Sequence, residues 1–167
     1  MKSKIFVLVA ALTMAVSASA QFSKGDVILS GQLSGLNFER SSFDEWSSVE
    51  FGLQASGGYF ITDKFAVVGA LGFASEKVDD ADATSAFVFG IAPRYYVIPN
   101  LYGEVGYQAL KATDVDLRNY IGVEVGYDYF INDKVFFEPA VYFRKGITKD
   151  VDETSNFGLS IGIGVKF

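Results

Sequence analysis

Cysteine and histidine are both absent from this chain of 167 residues. Without cysteine the protein can form no disulfide bond. Without histidine it lacks the side chain best suited to act as a general base near neutral pH. Hydrolases built on Ser–His or Asp–His arrangements are therefore excluded. A mechanism based on lysine or a carboxylate stays open, but no motif indicates one. We therefore predict that the protein is not an enzyme and has no catalytic residues.

Positive charge is also scarce, because 14 Lys and Arg residues face 20 Asp and Glu residues, for a formal net charge of −6. An acidic chain is a poor partner for nucleic acid, so we predict no nucleic-acid binding. After the first twenty residues no apolar run reaches the roughly 20 residues of a transmembrane helix.

The first twenty residues have the three parts of a secretory signal peptide. Lys2 and Lys4 precede an apolar run at 5–16, and three small residues end at Ala20, before Gln21. No cysteine follows this junction to carry a lipid anchor. Loss of the two lysines by cleavage after Ala20 would take the formal charge from −6 to −8. The predicted domains are a signal peptide, 1–20, and an exported domain, 21–167.

Glycine and aromatic residues are abundant, with 17 Gly, 16 Phe and 9 Tyr, which suits strands joined by tight turns. Three segments resemble one another: GYFITDKFAV at 58–67, RYYVIPNLYG at 94–103 and GYDYFINDKVFF at 126–137. Their isoleucines are 37 and then 33 residues apart. A tight turn repeated at this period predicts a series of β-hairpins.

Longer polar stretches alternate with these turns, at 37–48, 75–85, 110–119 and 144–155. Together the two kinds of connection separate eight predicted strands. Most of these have the roughly 9–11 residues that a tilted strand needs to cross a membrane. The predicted strands are 27–36, 49–61, 65–74, 86–97, 101–109, 119–129, 135–143 and 156–167.

Large and small side chains alternate along these strands. In the predicted strand 119–129, Ile121, Val123 and Val125 share one face, and their neighbours are Gly and Glu. A soluble barrel would turn the apolar face inward and carry charge outside. Here the second face is mostly Gly, Ser and Ala, as the crowded inside of an eight-stranded barrel requires. We therefore predict an all-β fold, an eight-stranded antiparallel up-and-down transmembrane β-barrel; a secreted soluble β-barrel is the alternative.

Connection length predicts the orientation, because bacterial barrels have short periplasmic turns and long external loops. The short turns and both termini would then lie on the periplasmic side. Aromatic residues near these turns would form an interfacial girdle, although aromatics also pair well across hairpins. They are Tyr59, Phe65, Tyr95, Tyr129 and Phe137.

Charged residues on the inner face form the sharpest candidate site. If the turn at 98–100 closes with Val97 opposite Leu101, then Arg94 lies opposite Glu104, a favourable pair away from bulk water. Such charges indicate either a gated ion path or a plugged core in which they satisfy one another, and a narrow barrel favours the plugged core. Other inward charges are predicted at Glu50, Glu124, Asp128, Glu138, Arg144 and Lys166.

The external connections hold most of the remaining charge, including Asp79, Asp80 and Asp82 in the second and the only tryptophan, Trp46, in the first. The sequence DDAD offers oxygen ligands for a divalent cation, but it lacks the spaced ligands and turn glycine of an EF-hand. We interpret it as a solvated acidic loop and predict no metal site and no cofactor.

The ASAQ junction, two of the turn segments and the closing FGLSIGIGVKF together carry a family resemblance. The chain resembles small porin-like outer-membrane β-barrel proteins of the type common in Bacteroidota, related to OmpA-, OmpX- and OmpW-type barrels. In such families the barrel-assembly machinery reads a terminal aromatic on an alternating last strand, and Ile163, Val165 and Phe167 match that pattern. The resemblance also implies contact with outer-membrane lipid and lipopolysaccharide.

These observations predict an integral protein of the cell outer membrane with a structural or surface-interaction role and no catalysis. A narrow porin-like passage, or a binding protein for small or hydrophobic solutes, is a second interpretation. The secreted soluble barrel is a third. The oligomeric state and any specific ligand stay open.

Overall fold

The computed structural model describes residues 22–39, 49–77, 84–112, 116–148 and 155–167. Within these ranges no helix has the length and hydropathy to span a bilayer. All regular structure there is antiparallel β-sheet. The strands are β1 (Val27–Glu39), β2 (Val49–Thr62), β3 (Phe65–Lys77), β4 (Thr84–Ile98), β5 (Leu101–Ala112), β6 (Arg118–Tyr127), β7 (Tyr129–Phe130), β8 (Val135–Gly146) and β9 (Ser155–Lys166).

Strand pairing closes the sheet into a barrel. Each strand from β1 to β5 pairs with the next, β8 pairs with both β6 and β9, and β9 pairs with β1. The two-residue β7 continues β6 and also pairs with β8, so β6 and β7 together form one strand of the wall. The prediction of an eight-stranded antiparallel barrel is confirmed.

The seam between the first and the last strand is paired as far as the C-terminal residue. The N–H of Val27 donates to the carbonyl of Phe167 (3.1 Å), and the N–H of Phe167 donates to the carbonyl of Val27 (2.8 Å). Hydrogen bonding along the seam leaves no open strand edge between β1 and β9, which is what a lipid environment demands of a sheet.

The two ends of the barrel differ in their connections. At the short-turn end, two residues separate β2 from β3 and β4 from β5, and four separate β7 from β8. At the long-loop end, 9, 6, 5 and 8 residues follow β1, β3, β5 and β8. These four strands continue three residues further toward the long-loop end than predicted. The backbone ladder continues there because it does not need the alternation of apolar side chains by which the sequence marks a strand.

The turn between β4 and β5 differs from the prediction by one residue. Ile98, not Val97, lies opposite Leu101, because the ladder shifts by one residue just before the turn. Asn100 has a φ of 72°, a left-handed conformation that asparagine tolerates better than most residues. The irregularity at Val97 absorbs the extra residue, so the predicted register further along both strands is kept.

The predicted strand 119–129 is interrupted at Asp128. The N–H of this residue donates to the carbonyl of Asn100 (2.8 Å) and not to β8. Its fully buried carboxylate accepts a hydrogen bond from the hydroxyl of Tyr96 (2.7 Å). The ladder breaks where a charged side chain is turned into the interior.

Side chains on the two faces of the wall are sorted as predicted. Outward positions carry large apolar residues such as Leu71 and Phe87, each 71% exposed. Inward positions are mostly small, but Ile28, Ala66 and Val68 also face inward and are buried. All five residues of the predicted aromatic girdle lie on the outer face. Tyr59, Tyr95 and Tyr129 are exposed, and Phe65 and Phe137 are half-buried.

Inward glycines leave room for large side chains on the neighbouring strand. A Cβ added at Gly164 would overlap the ring of Phe136, which lies directly opposite. A Cβ at Gly126 would overlap Tyr102 in the same way, and one at Gly58 would lie 2.8 Å from a neighbouring isoleucine side chain. These glycines are required by close approach, since eight strands leave so little internal space.

Replacing Gly164 with Ala should therefore destabilise the barrel by about 1–3 kcal/mol, because the new methyl group displaces the ring of Phe136. The measurement is urea unfolding in lipid vesicles, followed by the mobility shift between folded and unfolded barrel on a gel.

Gly69→Ala is the matched control, because this outward glycine of β3 has nothing within 4 Å of an added Cβ. We expect its unfolding midpoint to stay unchanged or to rise slightly, since alanine has less chain entropy to lose. Equal effects of the two substitutions would contradict the packing argument.

Candidate functional site

The interior of the barrel is filled in layers, and the first layer, at the short-turn end, is aromatic. Phe22, which precedes β1, lies among the rings of four residues of the wall. We call this group the mouth cluster: Phe22, Phe60, Tyr96, Phe130 and Phe136. Phe130 is partly buried and the other four are buried, so the cluster forms an apolar layer across this end of the barrel.

An ion cluster lies next to the mouth cluster. The Nε of Arg94 is 2.8 Å from Oε2 of Glu104, and its Nη2 is 3.1 Å from Oε1 of Glu138. The side chain of Arg94 is 2% exposed, that of Glu138 is fully buried, and that of Glu104 is 17% exposed. The guanidinium also stacks on Tyr102, with Cζ 3.8 Å from the ring centroid. In so dry a site the arginine needs all of these partners to offset its loss of hydration.

The Oε1 atom of Glu138 is the common acceptor of this cluster. Besides Arg94, it accepts hydrogen bonds from the hydroxyl of Tyr102 (2.7 Å) and from Nε2 of Gln32 (3.0 Å). Its donors come from β4, β5 and β1, none of which pairs with β8, where Glu138 lies. These contacts therefore cross the lumen and join opposite parts of the wall.

Two more carboxylates complete the ion cluster. Glu124 accepts a hydrogen bond from the hydroxyl of Tyr102 (2.9 Å), and Asp128 accepts one from the hydroxyl of Tyr96 (2.7 Å). Four carboxylates thus surround the single guanidinium of Arg94 in this part of the lumen. Among the described residues, no group of three or more acidic side chains has the arrangement needed to hold a metal ion.

Beyond the ion cluster, on the side of the long-loop end, the lumen is polar. Gln108 donates to Gln54, and Gln54 to Gln32, each at 3.4 Å, which extends the contacts of Glu138 as a line of amides. The adjoining cavity measures about 50 Å³, counted as the room open to the centre of a water molecule. At roughly 10–15 Å³ for each water on that measure, it has room for only a few waters.

Most of the residues predicted from the sequence can be placed. The structure brings Arg94 and Glu104 together across β4 and β5, as the turn geometry predicts. The described residues leave out Ala20 and Gln21, all of the DDAD loop and Trp46, and the side chain of Glu50. Ile163 and Phe167 point outward and are exposed, and Val165 is half-buried. At the far ends of the lumen, Arg144 stacks on Tyr142 and Lys166 lies 3.8 Å from Asp26.

Sequence reasoning placed Glu138 on the inner face but missed its role as the shared acceptor. It also missed Gln32 and Phe22 altogether. The inward position of Gln32 on β1 is a usable signal, because an amide facing a small lumen must find a polar partner. Phe22 had a weaker signal, as an aromatic residue two positions after the predicted cleavage point and outside any predicted strand.

The sequence matches the family model of the outer membrane protein beta-barrel domain over residues 6–167. The chain belongs to this family. It is therefore a protein of the cell outer membrane, and the secreted soluble barrel is excluded. No curated protein matches the chain by sequence.

Solved barrels of the outer membrane share the fold. OprG from Pseudomonas aeruginosa is 15% identical with a TM-score of 0.60, over 90% of this chain and 99% of OprG. Neisserial surface protein A is 18% identical with a TM-score of 0.57, over 86% and 98% of the two chains. The attachment invasion locus protein Ail of Yersinia pestis is 12% identical with a TM-score of 0.55, over 86% and 99%. At these identities the likeness is one of fold alone.

Removing the guanidinium by Arg94→Ala should destabilise this outer membrane barrel by about 3–5 kcal/mol, because it leaves a fully buried carboxylate without its cation. The measurement is the urea unfolding midpoint in vesicles. Lys134→Ala, which removes an exposed cation from the short-turn end, is the control and should leave the midpoint unchanged.

A triple variant, Arg94→Met with Glu104→Gln and Glu138→Gln, removes the charge of all three ion-paired residues together. Its stability should recover part of the loss, since the ion-paired residues are removed together while Glu124 and Asp128 keep their hydrogen bonds from tyrosine hydroxyls. An unchanged midpoint in Arg94→Ala would contradict the assignment of the ion cluster as a structural element.

Proposed function

We propose that this protein is a non-catalytic barrel with a closed lumen, whose role in the outer membrane is structural or lies in surface interaction. One observation carries the proposal: the Arg94–Glu138 ion pair and the Gln32–Glu138 hydrogen bond cross the lumen and are buried. A path for solutes would have to break this ion cluster, which costs several kcal/mol for each ion left uncompensated.

The size of the cavity supports the same proposal. Sites for small molecules commonly measure about 300–1,000 Å³. The cavity of this barrel has about 50 Å³ open to water centres, and Arg94 and Glu104 of the ion cluster are among the residues that line it. Room for a few waters is too little for a sugar or a nutrient, so the passage and solute-binding interpretation finds no support in the lumen.

The outer surface and the loops then carry the function. The proposed orientation places the short-turn end in the periplasm and the long-loop end outside the cell, in contact with lipopolysaccharide. The long connections and the strand ends beside them are rich in acidic residues, which suits cationic partners. In the first two connections these residues are Asp44, Glu45, Asp79, Asp80 and Asp82, and Glu76 lies at the end of β3 beside them.

Folded protein reconstituted into planar bilayers should produce no conductance steps, because the ion cluster leaves no continuous water path. The same preparation unfolded by heat before mixing is the control for detergent artefacts, and gel mobility shows how much folded barrel was added. Reproducible steps that scale with folded protein would contradict a closed lumen and favour the passage.

We further propose that the end of β9 is the signal read by the barrel-assembly machinery. Ile163, Val165 and Phe167 alternate on the outer face, and the backbone of Phe167 pairs with Val27 whatever its side chain. The aromatic side chain, 66% exposed, therefore has no packing role inside the barrel. Its exposure leaves it accessible to a partner during assembly.

Phe167→Ala should reduce the amount of folded barrel in the outer membrane of cells several-fold. The purified variant should still refold in detergent, since the paired backbone is retained. Phe157→Ala, at the other end of the same face of β9, is the control and should assemble at the wild-type level. Equal loss in the two variants, or failure of Phe167→Ala to refold, would contradict a signalling role.

A further inference from the structure

Phe22 is held in the barrel end by rings on several strands. It stacks on Phe60, with centroids 4.5 Å apart and planes 14° from parallel, and lies 5.0 Å from Tyr96. Phe130 and Phe136 present their edges to it at 5.3 and 6.0 Å. Only 4% of Phe22 is exposed, although no strand includes it. Stacked and edge-on rings at these distances are the favoured arrangements of aromatic pairs.

Short backbone contacts hold the segment 22–26 over the barrel end. The N–H of Gly25 donates to the carbonyl of Phe60 (2.9 Å), and that of Lys24 donates to the carboxylate of Asp63 (2.8 Å). A turn closed by Ser23 and its bond to the Asp26 carboxylate (2.8 Å) reverses the chain before β1. Gly25 has a φ of 98°, which favours glycine over residues with a side chain.

We propose that residues 22–26 are a stopper, and that Phe22 occupies an aromatic socket as an in-chain ligand and closes the short-turn mouth of the barrel. The proposal rests on the closed lumen proposed above and adds a second closure to it. The stopper and the ion cluster lie at different levels and use different contacts, one a ring stack and the other a buried ion group.

The stopper is a docked segment rather than part of the wall. Its five residues lie outside the strands, and Phe22 is its only buried side chain, supported by a few hydrogen bonds from the backbone of Ser23, Lys24 and Gly25. Most residues of the wall strands, by contrast, pair with both neighbouring strands. The stopper can therefore be removed by a single substitution while the ladder stays intact.

The shape of the socket defines what it binds. Four rings surround Phe22 and make a flat, apolar site for one aromatic ring. An apolar cavity of the size left by a deleted side chain stays dry and takes up benzene-like molecules. Truncating Phe22 should therefore create a site for a small aromatic molecule.

Thiol labelling tests the stopper, because the chain has no cysteine and an introduced thiol is unique. Ala66 is fully buried in the same apolar cluster as Phe22, so Ala66→Cys reports access to the short-turn mouth. With Phe22 present, this thiol should react slowly with a water-soluble maleimide. Adding Phe22→Ala should speed labelling by about tenfold or more, since the segment then opens locally.

Two further variants keep the test decisive if Phe22→Ala fails to fold. Gly25→Val, added to the Ala66→Cys protein, strains the turn but keeps all the aromatic residues of the mouth cluster. It should also speed labelling of the thiol at position 66. Lys24→Ala changes an exposed side chain only and should leave the rate unchanged. Gel mobility verifies folding in each case. If the thiol at position 66 is labelled at the same rate in the Ala66→Cys protein and in its Phe22→Ala and Gly25→Val variants, the proposed stopper is contradicted.

Benzene supplies the second readout. It should slow labelling of the Ala66→Cys/Phe22→Ala protein toward the rate seen with Phe22 present, and it should leave the Ala66→Cys protein unaffected. No slowing in the truncated variant would overturn the ring-binding socket.

Conductance separates failure of the stopper from failure of the closed lumen. If the Ala66→Cys protein conducts, both the closed lumen and the closure by the stopper fail. If it is silent and adding Phe22→Ala produces conductance, the ion cluster does not close the lumen and the stopper stands. If the protein is silent while labelling is equally fast with and without Phe22, the stopper fails and the closed lumen stands.

Discussion

The interior of this barrel depends on one carboxylate oxygen, Oε1 of Glu138, which receives donors from three strands that do not pair with its own. A buried arginine needs partners that offset its loss of hydration, and Arg94 has two carboxylates and the face of a tyrosine ring. The same contacts connect strands across the lumen. The electrostatic requirement of a single guanidinium therefore joins residues of several strands at this level of the lumen.

Space inside eight strands is the second constraint, and glycine is how the sequence meets it. Phe136 and Tyr102 fit because Gly164 and Gly126 leave their positions on the adjacent strands empty. Large inward residues and glycines are therefore paired features: the aromatic layer and the ion cluster could not coexist with side chains at the opposing positions. Both layers contribute to a filled interior, and for this reason we propose that function lies on the outer surface and the loops.

Family membership places the chain in the outer membrane, and its solved structural neighbours share its fold across nearly their whole lengths. The lumen of this barrel is filled in successive levels. An apolar ring cluster lies at the short-turn end, an ion cluster lies next to it, and amides with a small cavity follow. Because each level uses a different chemistry, the closed lumen that we propose is supported by more than one kind of contact.

The sequence by itself determined the barrel, the two faces of its wall and the pairing of Arg94 with Glu104. These follow from a two-residue alternation and from turns only a few residues long, so contiguous residues encode them. Tertiary structure alone decided that Gln32 meets Glu138, 106 residues away, that Asp128 breaks its strand, and that Phe22 occupies the mouth cluster. Such contacts depend on the diameter and stagger of the closed barrel, because these determine which inward residues meet across the lumen. No local sequence pattern encodes the diameter or the stagger.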